Sequence, residues 1–283
     1  MKPTLIGIGV QKCATSWAHA ALGAHPQITA SEPKEIDYFS YRFDHGHRWY
    51  EAHFTTATPH RFEISPSYFH DPRAPQRLAA YAPGIRLLVL LRCPVDRAFS
   101  NHLHEIAKGH IPAIPFEDGL ANNPAYVEQG LYHTHLSRWF AAFPADRIHV
   151  AFAEDTARDP QGQACALYRF LGLAPPPARA VVAERRNRSD QPRSATVRSI
   201  LRSGGAMLRR AGLEEELARI KKLPPVRAAL NANSIDIRSR IPPMHPATRA
   251  RLEHLFAPEL AALPALIGRP LPFAARTDLP EPV

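Results

Sequence analysis

Cysteine and lysine are both scarce in this chain, and each shortage excludes something. Cys13, Cys93 and Cys165 are odd in number and show none of the spacings of a metal site or a redox pair. That argues against a disulfide framework and leaves no metal site to assign. Long apolar runs are missing too. The longest near the middle, Leu87-Leu88-Val89-Leu90-Leu91, is far short of the roughly 20 residues that span a bilayer. The N-terminus carries no signal-peptide pattern, so the expectation is a soluble, cytoplasmic protein. Also absent is the Gly-Lys-Ser/Thr signature of nucleotide-hydrolysing P-loops. Gln11 precedes Lys12 here, and Cys13-Ala14 separate that lysine from the hydroxyls of Thr15 and Ser16.

Against these absences stand 283 residues with 45% apolar content, enough for one α/β domain with a full core. The lysines are Lys2, Lys12, Lys34, Lys108, Lys221 and Lys222, so arginine carries most of a net charge of +9. Such a balance suits an anionic ligand, a nucleic acid or a membrane surface, and does not choose among them.

The most informative stretch is Leu5-Ile6-Gly7-Ile8-Gly9-Val10-Gln11-Lys12-Cys13-Ala14-Thr15-Ser16-Trp17, which reads as a buried strand, a tight turn and the first turn of a helix. That geometry aims backbone N–H groups and the positive end of a helix dipole at one spot, which attracts phosphate. Lys12 adds a charge, and Thr15 and Ser16 add donors. His25-Pro26-Gln27-Ile28-Thr29-Ala30 then reads as a turn into a short second strand. Next comes a loop, Ser31-Glu32-Pro33-Lys34-Glu35-Ile36-Asp37-Tyr38-Phe39, anchored by its aromatics at the mouth of the sheet, where α/β folds bind ligands. Glu35 is the candidate base there. Residues 61–65 read as a strand ended by Pro66, and residues 85–91 as the central strand of a parallel sheet. That strand exits through Arg92-Cys93-Pro94 into a helix on which Arg97, Ser100, Asn101 and His104 share a face. Arg92 with Ser100 makes a second place for a phosphate. Helices are expected over residues 48–54, 74–81, 132–143, 160–171 and 246–267, the last interrupted near Pro258 and Pro264, and a strand over 148–152.

Taken in order, these motifs resemble the sulfotransferases that use 3'-phosphoadenosine 5'-phosphosulfate (PAPS), in the branch of the heparan sulfate sulfotransferases and their bacterial relatives. The resemblance rests on Gln11-Lys12-Cys13-Ala14-Thr15-Ser16-Trp17, Glu35-Ile36-Asp37-Tyr38-Phe39, Ser65-Pro66-Ser67-Tyr68-Phe69 and Leu91-Arg92-Cys93-Pro94-Val95-Asp96-Arg97-Ala98-Phe99-Ser100. Gly130-Leu131-Tyr132, Trp139, Phe143-Pro144, Glu154-Asp155, Asp159-Pro160 and Phe170-Leu171-Gly172-Leu173 continue it. The resemblance implies that Lys12, Cys13, Ala14, Thr15, Ser16 and Trp17 bind the 5'-phosphosulfate, and that Arg92 and Ser100 bind the 3'-phosphate. It also implies that Arg238, Ser239 and Arg240 form a closing loop, with Ser239 where the family has glycine. Glu35 becomes the base, Lys12 the cation on the leaving phosphate, and His104 an assisting group. Ile64 stands where the family often has a lysine.

The expected fold is therefore a central parallel sheet flanked by helices, with a P-loop-like strand-loop-helix. It forms a single domain over residues 1–283 that carries a basic helical insert or lid over 185–235. The expected activity is sulfuryl transfer from PAPS to a hydroxyl or amine of a small-molecule or carbohydrate acceptor, without a metal and without nucleic acid. The basic insert admits a membrane-associated acceptor. A P-loop nucleotide kinase or NTPase is the enzymatic alternative, and a basic nucleic-acid-binding protein the non-enzymatic one.

Overall fold

A computed structural model describes residues 1–175, 190–192, 234–236 and 240–273. Strands β1 (Leu5–Gly9), β2 (Ile28–Ala30), β3 (His60–Ile64), β4 (Arg86–Leu91) and β5 (Ile148–Phe152) form one sheet in the order β2-β3-β1-β4-β5. Every neighbouring pair is parallel. The continuous apolar character of β1 and of β4 from Leu87 to Leu91 follows from that arrangement, because a parallel sheet is covered on both faces. All of β1 is buried, as is β4 from Leu87 to Leu91. From β1 the chain passes to the edge strand β2, returns to β3 beside β1, and then crosses β1 to β4 and β5 on the other side. β1 is thus where the strand order reverses, the place where open α/β sheets take ligands.

Ten helices are described: α1 (Thr15–Gly23), α2 (Gly46–Glu51), α3 (Ala74–Tyr81), α4 (Pro94–Lys108), α5 (Phe116–Asn122), α6 (Ala125–Glu128), α7 (Tyr132–Ala142), α8 (Ala153–Arg158), α9 (Pro160–Phe170) and α10 (Pro246–Ile267). Specific polar contacts tie several of them to the core. The Tyr168 hydroxyl of α9 donates to the Ala21 carbonyl of α1 at 2.7 Å, and the Trp139 indole of α7 donates to the Phe69 carbonyl at 3.2 Å. Gly172 ends α9 region at φ 78, a conformation that glycine adopts freely.

One expectation needs correction. Helix α10 is not interrupted at Pro258 or Pro264 but runs through both. An interior proline removes a backbone donor and costs about 3 kcal/mol. Packing offsets that cost here. Leu252, Phe256 and Leu263 are buried, and the Glu259 carboxylate accepts the Thr134 N–H of α7 at 2.9 Å.

The chain divides into two compact units. The first, Met1–Asn101 with Leu120–Asn187 and His245–Val283, holds the five-stranded sheet. The second comprises His102–Gly119 and Arg188–Met244. In it the His102 ring lies 2.9 Å from the Ile114 carbonyl through Nε2, and β6 (Asp190–Pro192) pairs antiparallel with β7 (Ser234–Asp236). The expected helical insert over 185–235 otherwise lies outside the described residues. Among the described residues no helix is long and apolar enough to cross a membrane.

Gly7 marks a close approach between β1 and β3, because a Cβ there would meet Ile64 Cγ1 at 2.6 Å. Gly7→Ala is expected to destabilise the fold by about 1–3 kcal/mol through overpacking, measured as a lowered urea midpoint. Two histidines contribute to the loss of stability in acid. His19 of α1, tilted against Phe62, and His149 of β5, tilted against Phe170, are each held down to about 4, first by burial and then by Lys34 and Arg269 respectively. Between pH 6.5 and 4 the unfolded chain binds protons that these imidazoles refuse. The stability contributed by these two sites is expected to be full above pH 6.5 and to fall as pH drops toward 4. Gln at both positions flattens that fall in urea titrations run across the same range.

Candidate active site

Parallel strands put all their carboxyl ends on one edge of the sheet, and that edge collects the predicted motifs. β1 leads into the Lys12 turn, β2 into residues 31–39, β3 into residues 65–69, and β4 into Arg92. Two bonds extend the ladder past the strand ends. The Val10 N–H donates to the Leu90 carbonyl at 2.9 Å, and the Ser65 N–H donates to the Gly7 carbonyl at 2.9 Å.

The turn after β1 is built for an anion. Lys12 and Ala14 take left-handed conformations, at φ 71 and 65, on either side of Cys13. Backbone alternation of this kind folds N–H groups toward a common point. Ala14 caps α1 without any side-chain bond, and the first intrahelical bond runs from the Ala18 N–H to the Ala14 carbonyl at 3.1 Å. The N–H groups of Thr15, Ser16 and Trp17 precede it and face out of the positive end of the helix. Cys13 departs from this pattern. Its thiol is buried, 3.8 Å from the Tyr132 hydroxyl, and burial pushes it up to about 12. Its N–H donates to the Val10 carbonyl at 3.2 Å, so Cys13 plugs the floor of the turn and points no group outward.

Glu35 reaches the same place through a residue to which the sequence pattern gave no role. The Lys34 ammonium donates to Ser16 Oγ at 3.1 Å and lies 3.4 Å from Glu35 Oε1. Lys34 thereby bridges the amino end of α1 and the carboxylate, whose side chain keeps 47% exposure. Neighbours in a loop obey no periodicity, so only the side-by-side charges of Lys34 and Glu35 hinted at the pairing. Glu35 and Asp37 are themselves left-handed, at φ 63 and 57. Hydrogen bonds hold the segment in that shape. Ser65 Oγ accepts the Asp37 N–H at 2.9 Å, the Tyr68 hydroxyl accepts the Tyr38 N–H at 2.8 Å, and Ser67 Oγ donates to Asp37 Oδ1 at 2.5 Å.

On the other side of β1, Arg92 is half-buried and Ser100 is buried on α4. The Glu154 carboxylate pins the turn between them by accepting the Cys93 N–H at 3.0 Å. The shared face of α4 looks inward: Arg97 is 0% exposed, with Ser100 and Asn101 buried beside it. Arg97 donates to Gln129 Oε1 at 3.1 Å and to the Tyr126 carbonyl, and its Nε has no acceptor among the described residues. Burial pulls this guanidinium below its ordinary range. His104 lies one helical turn past Ser100 on α4 and belongs to the second compact unit. Arg240 is an exposed turn residue of that unit as well, while Arg238 and Ser239 lie outside the described residues. The first unit therefore collects Lys12 to Trp17, Glu35, Arg92 and Ser100 at one edge.

Comparisons with known proteins bear on the family and the fold. The family model for the sulfotransferase domain matches residues 2–196. Human heparan sulfate glucosamine 3-O-sulfotransferase 6 is 32% identical over 184 residues, which cover 60% of this chain and 52% of that protein. Human bifunctional heparan sulfate N-deacetylase/N-sulfotransferase 2 is 28% identical over 196 residues, 61% of this chain and 22% of that protein. The chain thus matches about a fifth to a half of these relatives' lengths. Among solved structures, a sulfotransferase from Alicyclobacillus acidocaldarius superposes with a TM-score of 0.68 at 22% identity, covering 96% of this chain and 98% of that one. Mouse sulfotransferase SULT7A1, solved with PAP, gives 0.51 at 14% identity, covering 91% and 84%. These two likenesses establish a common fold. With the family model running from the first strand through all five strands of the sheet, the chain belongs to the sulfotransferase domain family.

Proposed function

We propose that this chain transfers the sulfuryl group of PAPS to a hydroxyl or amine, with a carbohydrate as the acceptor class that the names of its relatives favour. The observation that carries the reading is the Ser16–Lys34–Glu35 bridge, which joins an anion-binding helix end to a carboxylate. The residues present suit the donor. The amino end of α1 has no capping side chain, and Trp17 Nε1 in its first turn is buried with no acceptor among the described residues. Thr15, Ser16 and Trp17 N–H groups with Lys12 would hold the phosphosulfate, and Arg92 with Ser100 the 3'-phosphate.

In the proposed reaction the acceptor oxygen or nitrogen bonds to sulfur as the bond from sulfur to the 5'-phosphate oxygen breaks. The electron pair leaves with 3',5'-ADP, and Glu35 takes the acceptor proton. Charge grows on the departing oxygen, so a cation and helix N–H groups fixed there stabilise the transition state more than the ground state. Lys12 supplies that cation. Lys34 neutralises part of the charge between donor and base, so the two anions approach without full repulsion.

The test is retention on immobilised 3',5'-ADP together with transfer of radiolabelled sulfuryl from PAPS to a panel headed by desulfated heparan sulfate, which offers both amines and hydroxyls. Retention with transfer is expected. Mg²⁺-dependent ATP turnover without either would replace the reading with a nucleotide kinase. Lys12→Ala is expected to lower kcat by about 10²–10³ and Glu35→Gln by about 10²–10⁴, with circular dichroism unchanged. Arg92→Ala removes charge-assisted bonds to a phosphate and is expected to raise the KM for PAPS about 10- to 100-fold while leaving kcat within a few-fold.

A further inference from the structure

Glu63 takes no part in the reaction just described, yet it is a carboxyl group at 1% exposure on the strand that feeds the active edge. A buried carboxylate persists where its oxygens are hydrogen-bonded. Three hydroxyls do this here. Tyr50 and Tyr68 donate to Oε1 at 3.0 and 2.7 Å, and Ser65 donates to Oε2 at 2.5 Å. Two of the three also carry a second bond, to the loop that contains Glu35. Ser65 Oγ accepts the Asp37 N–H, and the Tyr68 hydroxyl accepts the Tyr38 N–H.

The direction of these bonds matters. A hydroxyl has one proton and two lone pairs, whereas an ionised carboxylate only accepts. With its proton drawn to Glu63, each hydroxyl is left with lone pairs to offer, and the loop N–H groups take them. The carboxylate therefore sets the polarity of both contacts. Those contacts fall on Asp37, itself left-handed, and on the next residue, Tyr38, shortly after the left-handed Glu35. Such conformations cost a non-glycine residue on the order of 1–3 kcal/mol and persist where surrounding bonds over-determine them.

We propose that Glu63 is a positioning residue for Glu35, holding the 35–38 loop through the Ser65 and Tyr68 hydroxyls so that the Glu35 carboxylate stays beside Lys34 and the amino end of α1. The proposal rests on the reading of Glu35 as base, and its test separates the two. In Glu63→Gln the shape is kept but a donor replaces one acceptor. Amide hydrogen exchange at Asp37 and Tyr38, followed by NMR on the full chain, is expected to speed up about tenfold or more, the size of one bond to a charged group. Binding of 3',5'-ADP by calorimetry is expected to stay within twofold. With PAPS and desulfated heparan sulfate, kcat is expected to fall at least about tenfold at an unchanged KM for PAPS. Unchanged exchange at both amides overturns the proposal, and so does a loss of 3',5'-ADP affinity that parallels the loss of kcat, which would mark general damage.

Should Glu63→Gln fail to fold, Tyr68→Phe keeps the ring and removes one link. Faster exchange at Tyr38 with Asp37 unchanged then supports the proposal, and no change at Tyr38 overturns it. The exchange measurement needs neither donor nor acceptor. A wild-type chain that transfers no sulfuryl group therefore sinks the reaction, and the amides alone decide what Glu63 holds.

Discussion

Parallel pairing of β1 with β3 on one side and β4 on the other is the constraint on which the site depends. In an antiparallel sheet alternate loops would leave at opposite edges, and the Lys12 turn could not share a rim with both Arg92 and the 65–69 turn. Because every pair is parallel, the loops that follow β1, β2, β3 and β4 all leave at one edge, each strand being joined to the next by a crossover. The close fit of Gly7 against Ile64 and the bond from the Ser65 N–H to the Gly7 carbonyl fix β3 tightly against β1. The turn after β1 and the turn after β3 are thus set side by side by the sheet, and the Ser65 and Tyr68 hydroxyls after β3 tie in the loop carrying Glu35.

Charge at this edge is arranged in two ways. Lys12, Lys34 and Arg92 keep some contact with solvent, and neutral backbone donors at α1 add a dipole that needs no counter-ion. Arg97 sits beneath them, fully buried and held by a carbonyl and an amide oxygen, with no carboxylate paired to it among the described residues. A buried guanidinium so held raises the potential of the floor around Cys13 and favours a thiolate there, but by less than burial favours the neutral thiol. The result is a floor that stays neutral in Cys13 and positive in Arg97, which favours anions at the rim above it.

Much of the fold was legible because its signals were local and periodic. The aliphatic run ending at Leu91 could only be an interior strand, and Pro94 marked the first turn of α4 within a residue. The motifs located Lys12, Glu35 and Arg92 on the loops that the structure brings to one edge. What escaped was non-local. Lys34 gains its meaning from Ser16, eighteen positions earlier, and Glu63 gains its meaning from Tyr50 and from hydroxyls whose second partners lie in another loop. Pro258 and Pro264 misled for the same reason: a local rule against proline in helices yields to the packing of α10 on α7, which no nearby residue announces. The short helices α5 and α6 carry too few residues for a periodic pattern to emerge.

Two carboxylates near one edge, Glu35 and Glu63, illustrate how burial divides labour between identical side chains. Glu63 is sealed among Tyr50, Ser65 and Tyr68, where burial drives its carboxyl up to about 7 against three hydroxyl bonds that favour the ionised form. A group in that position cannot meet an incoming molecule, and its bonds are all spent on the framework. Glu35 is the reverse: it is half exposed, has an ion pair with its neighbour, and stands on backbone whose left-handed twist is costly and would relax if left alone. An exposed group on a strained loop has little packing of its own to hold it. Its precision has to come from neighbours with directional bonds, and the Ser65 and Tyr68 hydroxyls, which donate to Glu63, accept the N–H groups of Asp37 and Tyr38 in that loop.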